Sequence, residues 1–206
     1  MKIKSLILIS FILLSSLANA QHANLQQQFE HELKSKNSNV TSIQCMFTQT
    51  REMAVLANTV KKSGEFYYMQ PSNLLLSFRD GDYIKMTATM FEMKTGSNIS
   101  STKVSSNPML KNLNSVLSAC VVGDFEKMVR GFDINVELSQ SEWIVTMTPQ
   151  KGKAASKISR VVLNFNKKDM SLNILKMEEK SGDYTMYRFF DKKFNGSVDN
   201  NLFNIQ

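Results

Sequence analysis

The sequence has little cysteine, proline or glycine: two, three and eight residues, respectively, in a chain of 206. Two cysteines allow one disulfide at most, which excludes a small scaffold held together by several disulfides. The low proline and glycine content excludes a collagen-like or low-complexity chain. Beyond the N-terminus there is no long hydrophobic run, which excludes a protein with several membrane-spanning helices.

Motifs that support catalysis or metal binding are also lacking. The sequence has no H-E-x-x-H, C-x-x-C, G-x-S-x-G or phosphate-loop pattern, and neither His22 nor His31 has a partner at metal-ligand spacing. Glu178, Glu179 and Asp183 flank a predicted hairpin turn, where carboxylates are usually solvated rather than gathered in a cleft. We therefore predict that the protein is not an enzyme and has no catalytic residue, cofactor or metal.

The N-terminus has the pattern of a secretory signal peptide. Lys2 and Lys4 precede a largely apolar run over residues 6–14, which is too short to span a membrane, and small residues follow up to Ala20. Cleavage after Ala20 leaves Gln21 first, so no cysteine stands there to carry a lipid anchor. The alternative is an uncleaved N-terminal anchor.

The predicted organisation is therefore a signal peptide over residues 1–20 and one domain over residues 21–206. Removal of Lys2 and Lys4 lowers the formal net charge from +7 to +5, and the remaining basic residues are scattered along the chain. Nucleic acid is not an expected partner, because phosphate binding needs clustered cations. Weak attraction to anionic lipid surfaces remains open.

The mature chain is predicted to begin with a helix and to continue in strands. Leu25, Phe29 and Leu33 recur every four residues, which indicates a helix with one apolar face. From residue 41 apolar and polar residues alternate, which indicates strands separated by turn signals such as Asp80-Gly81. Further strands are predicted near residues 54–69, 73–79, 82–94, 99–105, 132–138, 142–148, 157–166, 171–179 and 183–190.

A helical insert near residues 107–130 interrupts the strands. Pro108 suits a first helical turn, and a short second helix is predicted with Asp124 as its N-cap. The apolar residues at helical spacing are Met109, Leu113, Val116, Leu117 and Cys120. This order of elements predicts an α+β fold, with a single antiparallel sheet of roughly nine to eleven strands that curls strongly. The two apolar helical segments are expected to cover its concave face.

Methionine and phenylalanine are abundant, with 13 residues of each. Methionine side chains adapt to irregular shapes, so a methionine-rich concave surface suits ligands such as acyl chains. An ordinary methionine-rich core explains the same composition, and composition alone favours it.

Short motifs follow one another in a characteristic order along the chain. In the first half they are Ile43-x-Cys45-x-Phe47-x-Gln49, Gly64-Glu65-Phe66-Tyr67-Tyr68, Pro71 followed by Leu74-Leu75, and Asp80-Gly81-Asp82-Tyr83-Ile84. In the second half they are Val161-Val162-Leu163-Asn164-Phe165, Leu172, Met177-Glu178, Gly182-Asp183-Tyr184-Thr185, Phe189, Asn195 and Phe203. Their order and spacing resemble those of the periplasmic outer-membrane lipoprotein carrier proteins (LolA-like).

The resemblance implies an unclosed half-barrel with a helical lid, whose apolar concavity shelters the acyl chains of lipoproteins on their way to the outer membrane. It implies a monomeric periplasmic chaperone with lipid-modified proteins as cargo. The implied partners are an inner-membrane release transporter and an outer-membrane acceptor. Two alternatives remain open: a carrier of another amphiphile, such as a glycolipid or acylated precursor, and an interaction module that senses a lipid or peptide.

One position departs from the resemblance. Family members commonly carry a basic residue directly before the proline, where it hydrogen-bonds to the lid, whereas this chain has Gln70 before Pro71. Glutamine lacks the charged, five-donor fork of arginine. We therefore expect the lid contact to be weaker or built differently.

The predicted ligand-binding residues are apolar side chains of strands and of the lid. The strand residues are Phe47, Phe66, Tyr68, Leu74, Leu76, Trp143, Val145 and Met147, and the lid residues are Leu113, Val116 and Leu117. The alternative is that these side chains fill a sealed core. Cys45 and Cys120 are expected to face each other across the cavity as free thiols, although a disulfide between them remains open.

Overall fold

The computed structural model describes residues 24–54, 58–106, 116–150 and 157–205. The predicted signal peptide and the predicted lid residue Leu113 lie outside these ranges. No helix within them is long and apolar enough to cross a membrane.

The protein forms an eleven-stranded antiparallel sheet that does not close, as the sequence predicts. The strands are β1 (Ser42–Met53), β2 (Asn58–Met69), β3 (Asn73–Phe78), β4 (Tyr83–Met86), β5 (Met90–Thr95), β6 (Asn98–Lys103), β7 (Phe132–Leu138), β8 (Glu142–Pro149), β9 (Ile158–Asn166), β10 (Leu172–Glu179) and β11 (Tyr184–Phe194). Their order in the sheet is β6-β5-β4-β3-β2-β1-β11-β10-β9-β8-β7. The chain thus starts in the middle of the sheet, runs to one edge, crosses to the other and returns beside β1.

Buried and more exposed residues alternate along the strands, so the buried side chains lie on one face of the sheet. On β1, Ile43, Cys45 and Phe47 are buried, whereas the intervening Gln44 and Met46 are only half-buried. Residues that pair across antiparallel strands share a face, so the pairing of Cys45 with Phe66 places Phe66 on the inward face as well. This face is the one that the helices cover.

Gly64 permits a close approach of two strands near the middle of the sheet. It pairs with Phe47 on one side and Phe78 on the other, inside β2 rather than in a turn. A Cβ atom at Gly64 would lie 1.9 Å from the carbonyl oxygen of Ser77, so no other residue fits without a backbone shift.

The prediction of a single strand near residues 82–94 is wrong, because the structure has two strands, β4 and β5, in that segment. A turn at Thr87 separates them. The Thr87 hydroxyl accepts a hydrogen bond from the backbone N–H of Met90 at 3.0 Å, and the backbone N–H of Thr87 donates to the Met90 carbonyl at 2.8 Å. A threonine hydroxyl makes this turn without the glycine, proline or asparagine that usually signals one.

Three helices lie on the concave face, which makes the fold α+β: α1 (described over residues 24–37), α2 (described over residues 116–122) and α3 (Phe125–Val129). Phe29 and Leu33 of α1 are fully buried, as the helical spacing predicts. The predicted N-cap is also confirmed, since the Asp124 side chain accepts from the backbone N–H of Lys127 at 3.1 Å.

Candidate functional site

A cavity lies between the sheet, the end of α1 and α2. Its volume is about 30 Å³, which is room for about two water molecules. Ten of its thirteen lining residues are apolar: Val40, Ile43, Cys45, Phe66, Leu117, Cys120, Val121, Leu172, Phe189 and Phe194. The other three are Asn37, Ser171 and Lys192.

The predicted binding residues fall into two groups. Phe66 and Leu117 line the cavity, one from β2 and the other from α2. The remaining described ones are buried in the core at 7% exposure or less: Phe47, Tyr68, Leu74, Leu76, Val116, Trp143, Val145 and Met147. Whether these eight contact a ligand stays a prediction, because contact would require the core around them to open.

The half of the concave face formed by β8 and β9 is filled by α1. The ring of Phe29 packs edge-on against Trp143 at 5.7 Å and against Phe165 at 5.2 Å, measured between ring centroids. Both rings beneath it are fully buried. The cavity therefore opens beside α1, where β1, β2 and β11 meet α2.

A β-bulge in β11 brings two unexpected residues to the cavity. Phe189 pairs with Phe47 and Phe194 pairs with Ile43, so five residue steps on β11 oppose four on β1. Asp191, at φ 54°, lies in the bulge. Strict alternation would place Lys192 and Phe194 on the outer face. The sequence prediction missed both, because the predicted strand ended near residue 190 and nothing in the local sequence marks the extra residue.

The three polar lining residues lie together at one end of the cavity. The amide of Asn37 donates to the carbonyl oxygen of Cys120 at 3.0 Å and to that of Met170 at 3.2 Å. Ser171 follows directly and accepts from Lys192 Nζ at 2.9 Å. This end is therefore polar, whereas the rest of the wall is hydrocarbon, aromatic ring and sulfur.

Two contacts near the C-terminal end of α2 hold it against α1. Asn37 on α1 binds the Cys120 carbonyl of α2, as described above. Gly123, at φ 76°, follows α2, and a Cβ atom there would lie 2.7 Å from the Leu33 carbonyl oxygen. The absence of a side chain at this position lets the two helices touch.

Gln70, where the resemblance implies a basic residue, binds the backbone that leads into β1. Its side-chain amide donates to the Val40 carbonyl at 2.7 Å, and its backbone N–H donates to the Thr41 carbonyl at 2.9 Å. Gln70 therefore fixes the segment that leads into β1. Because Val40 lines the cavity, this contact supports the cavity wall.

Cys45 on β1 and Cys120 on α2 line the same cavity as free, buried thiols. Burial raises the pKa of Cys45 to about 12, partly opposed by the positive charge of Lys192, and burial also raises the pKa of Cys120. Both side chains are therefore neutral at physiological pH and contribute apolar surface.

Carboxylates of the described residues do not converge on the cavity. Glu178 is paired with Arg160 at 2.6 Å and with Lys176 at 2.8 Å. Within the described part of the chain there is no group of three or more histidine, cysteine, aspartate or glutamate side chains that could hold a metal ion. The arrangement is thus suited to binding an apolar group.

No curated protein matches the sequence. A conserved protein from Thermus thermophilus superposes with a TM-score of 0.53 at 10% identity, over 88% of this chain and 94% of that one. A LolA superfamily protein from Nitrosomonas europaea gives 0.44 at 12% identity, over 87% and 97% of the two chains. MucB in the MucA/MucB complex of Pseudomonas aeruginosa gives 0.46 at 10% identity, over 87% and 60%.

The likeness to the Thermus protein supports the fold alone, because the identity is so low. The family assignment comes from the sequence: the model of the outer membrane lipoprotein carrier protein LolA matches residues 38–206. The chain therefore belongs to the LolA family of outer membrane lipoprotein carrier proteins.

Proposed function

We propose that the protein is a periplasmic carrier that shelters the acyl chains of lipoproteins and delivers them to the outer membrane. The observation that carries this proposal is an apolar cavity between the sheet and α2 in a member of the LolA family. Exposure of an acyl chain to water costs about 0.8 kcal/mol per CH₂ group, so passage through an aqueous compartment requires a shelter of this kind.

Binding requires movement of the lid. The cavity of about 30 Å³ has no room for an acyl chain, so α2 must move away from β1 and β2 to admit one. The apolar side chains of Leu117, Cys120 and Val121 would then contact the chain instead of the sheet. This exchange of apolar contacts keeps the cost of opening low when the ligand is present.

The cycle of such a carrier needs two docking events and no chemistry. An inner-membrane release transporter would load the protein, and an outer-membrane acceptor would take the lipoprotein from it. The protein would act as a monomer formed by residues 21–206 after cleavage of the signal peptide. Transfer would depend on relative affinities for the acyl chains, with no bond made or broken.

The proposal is tested by placing a charge in the lid. Leu117, which is 7% exposed and lines the cavity, is replaced by glutamate, and binding of the uncharged fluorescent probe N-phenyl-1-naphthylamine is titrated. We expect Leu117→Glu to abolish binding, because an acyl site does not accept an unpaired carboxylate. Ser118→Glu, which adds the same charge beside it but away from the cavity lining, is the matched control.

Retention of the fold in both variants is checked by circular dichroism and thermal unfolding. Binding in Leu117→Glu equal to that of the wild type would overturn the assignment of α2 as the lid. If Leu117→Glu does not fold, Phe66→Glu on the opposite wall of the cavity replaces it as the test.

A further inference from the structure

Among the described residues that line the cavity, Lys192 is the one cationic group, and the others are neutral. The ammonium group of Lys192 donates to Ser171 Oγ at 2.9 Å and to Asn173 Oδ1 at 2.5 Å, and both of these acceptors are neutral. Among residues 24–54, 58–106, 116–150 and 157–205, no carboxylate lies within the 4.0 Å of an ion pair with Lys192. Its direct hydrogen-bond partners are therefore neutral groups.

This charge is also partly desolvated. Lys192 is half-buried, and burial lowers its pKa, although the charges of Asp169 and Glu142 favour the protonated form from farther away. A half-buried cation without a paired anion is costly in an apolar site. A ligand with an anion at this position would offset the desolvation cost of Lys192 and would therefore bind more tightly.

The surroundings of Lys192 indicate where a ligand's head would lie. An open recess of about 270 Å³ adjoins the cavity, because Asn37, Val40 and Phe194 line both. Lys36 and Lys168 line the recess together with one acidic residue, Asp169. With Lys192, three lysines face one aspartate at the polar end of an apolar cavity. An apolar cavity with a positively charged end is complementary to an amphiphile that has a hydrocarbon chain and a negatively charged head.

We propose that Lys192 binds the anionic head group of the ligand, so that the cavity takes a fatty acyl chain carrying a carboxylate or phosphate at its head. The inference goes beyond the proposed function, because acyl chains in ester or amide linkage to a lipoprotein carry no anionic head. It shares with that function only the acyl chain in the cavity that opens under α2. The head lies beside Lys192 and Ser171, facing the recess. Charge-assisted hydrogen bonds from the ammonium group distinguish such a ligand from a neutral one of equal length.

The test compares two probes that differ only in head charge: cis-parinaric acid and its methyl ester, titrated below their critical micelle concentrations. We expect the wild type to bind the acid about tenfold more tightly, which corresponds to about 1.4 kcal/mol. Lys192→Met, which keeps the apolar stem and removes the charge, is expected to lose this preference and to bind the ester as the wild type does.

Lys193→Met is the matched control. Lys193 is the next residue along β11, is exposed and pairs with Gln44 on the outer face of the sheet. We expect it to leave both affinities unchanged. Competition with dodecanoate and with dodecyl phosphate then identifies the head group, since the stronger competitor carries the preferred anion.

The outcomes separate this inference from the proposed function. Equal binding of acid and ester by the wild type, or displacement by uncharged dodecanol as strong as by both anions, overturns the head-group site and leaves acyl sheltering intact. An equal effect of Lys192→Met on both probes also overturns it. Failure of the wild type to bind either probe overturns both proposals. The wild-type comparison decides the question even if Lys192→Met does not fold.

Discussion

At the scale of single residues, Asn37 joins three segments that are far apart in the sequence. It is 5% exposed, and its amide binds the carbonyl of Cys120 on α2 and that of Met170 in the turn before β10. This neutral amide therefore helps to hold α2 against α1 and against the turn before β10.

Replacement of Asn37 by alanine leaves two carbonyl oxygens without this donor. We expect the free energy of unfolding to fall by about 2 kcal/mol, as measured by urea denaturation. Asn39→Ala, at an exposed position two residues further along, should change it by less than about 0.5 kcal/mol. A variant Asn37→Ala as stable as Asn39→Ala would show that the buried amide does not hold the lid.

Cys45 gives the stability a specific dependence on pH. Burial raises its pKa from 9.0 to about 12, so the unfolded chain loses this proton at lower pH than the folded one. The associated stability is present in full below pH 9 and is lost as the pH rises towards 12. Under reducing conditions, wild type should therefore lose more stability between pH 8 and pH 11 than Cys45→Ala does. Parallel curves for the two proteins would contradict the raised pKa.

Residue alternation in the sequence was sufficient to place Ile43, Cys45 and Phe66 on the inward face. It did not place Lys192, because the predicted strand ended near residue 190, and the β-bulge at Asp191 changes the face of every later residue in β11. A bulge depends on how two strands pair, which is information that one strand's sequence does not contain. The contribution of Lys192 to the polar end of the cavity was therefore not predicted from the sequence.

At the scale of elements, β1 and α2 bring Cys45 and Cys120 to opposite walls of one cavity. A disulfide there would tie α2 to the sheet, which would prevent the proposed movement of α2 away from β1 and β2. The structure holds both as free thiols.

We expect two titratable thiols per chain when the protein is purified from the periplasm without reductant, unfolded and treated with Ellman's reagent. The same protein after reduction provides the control for full reactivity. A count of zero before reduction and two after it would mean that the pair is bridged. Ligands would then have to enter past the strands instead of under α2.

Elements with strong periodicity or clear turn residues were predictable. The period of four in α1 and the N-cap Asp124 of α3 are examples. The boundary between β4 and β5 was not predictable, because the turn there is made by the Thr87 hydroxyl. The sequence has no glycine or proline at that point to signal a turn.

At the scale of the whole molecule, the open sheet explains why a cavity can form between the sheet and a helix. β6 and β7 are the two edges of the sheet and do not pair with each other, so the sheet curls without closing. A closed barrel of this size would fill its interior with side chains or enclose the ligand permanently. An unclosed one leaves room for helices on its concave face, and a helix can move away where a strand cannot.

The net positive charge predicts a weak, salt-dependent attraction to anionic membranes. After removal of residues 1–20 the formal charge is +5. We expect binding to vesicles rich in phosphatidylglycerol to weaken as salt rises past about 0.1 M, where the Debye length is about 10 Å. Vesicles of phosphatidylcholine, which carry no net charge, serve as the control. Binding that does not change with salt would indicate apolar docking instead.

The central claim is that this chain carries acylated molecules in the cavity under α2. The most direct measurement is native mass spectrometry of the protein purified from the periplasm of its own host, beside Leu117→Glu prepared in the same way. We expect the wild type to carry lipid-modified polypeptide that releases fatty acids on hydrolysis, and the variant to carry none. Wild-type protein without acylated ligand, or with the same ligand content as Leu117→Glu, would contradict the claim.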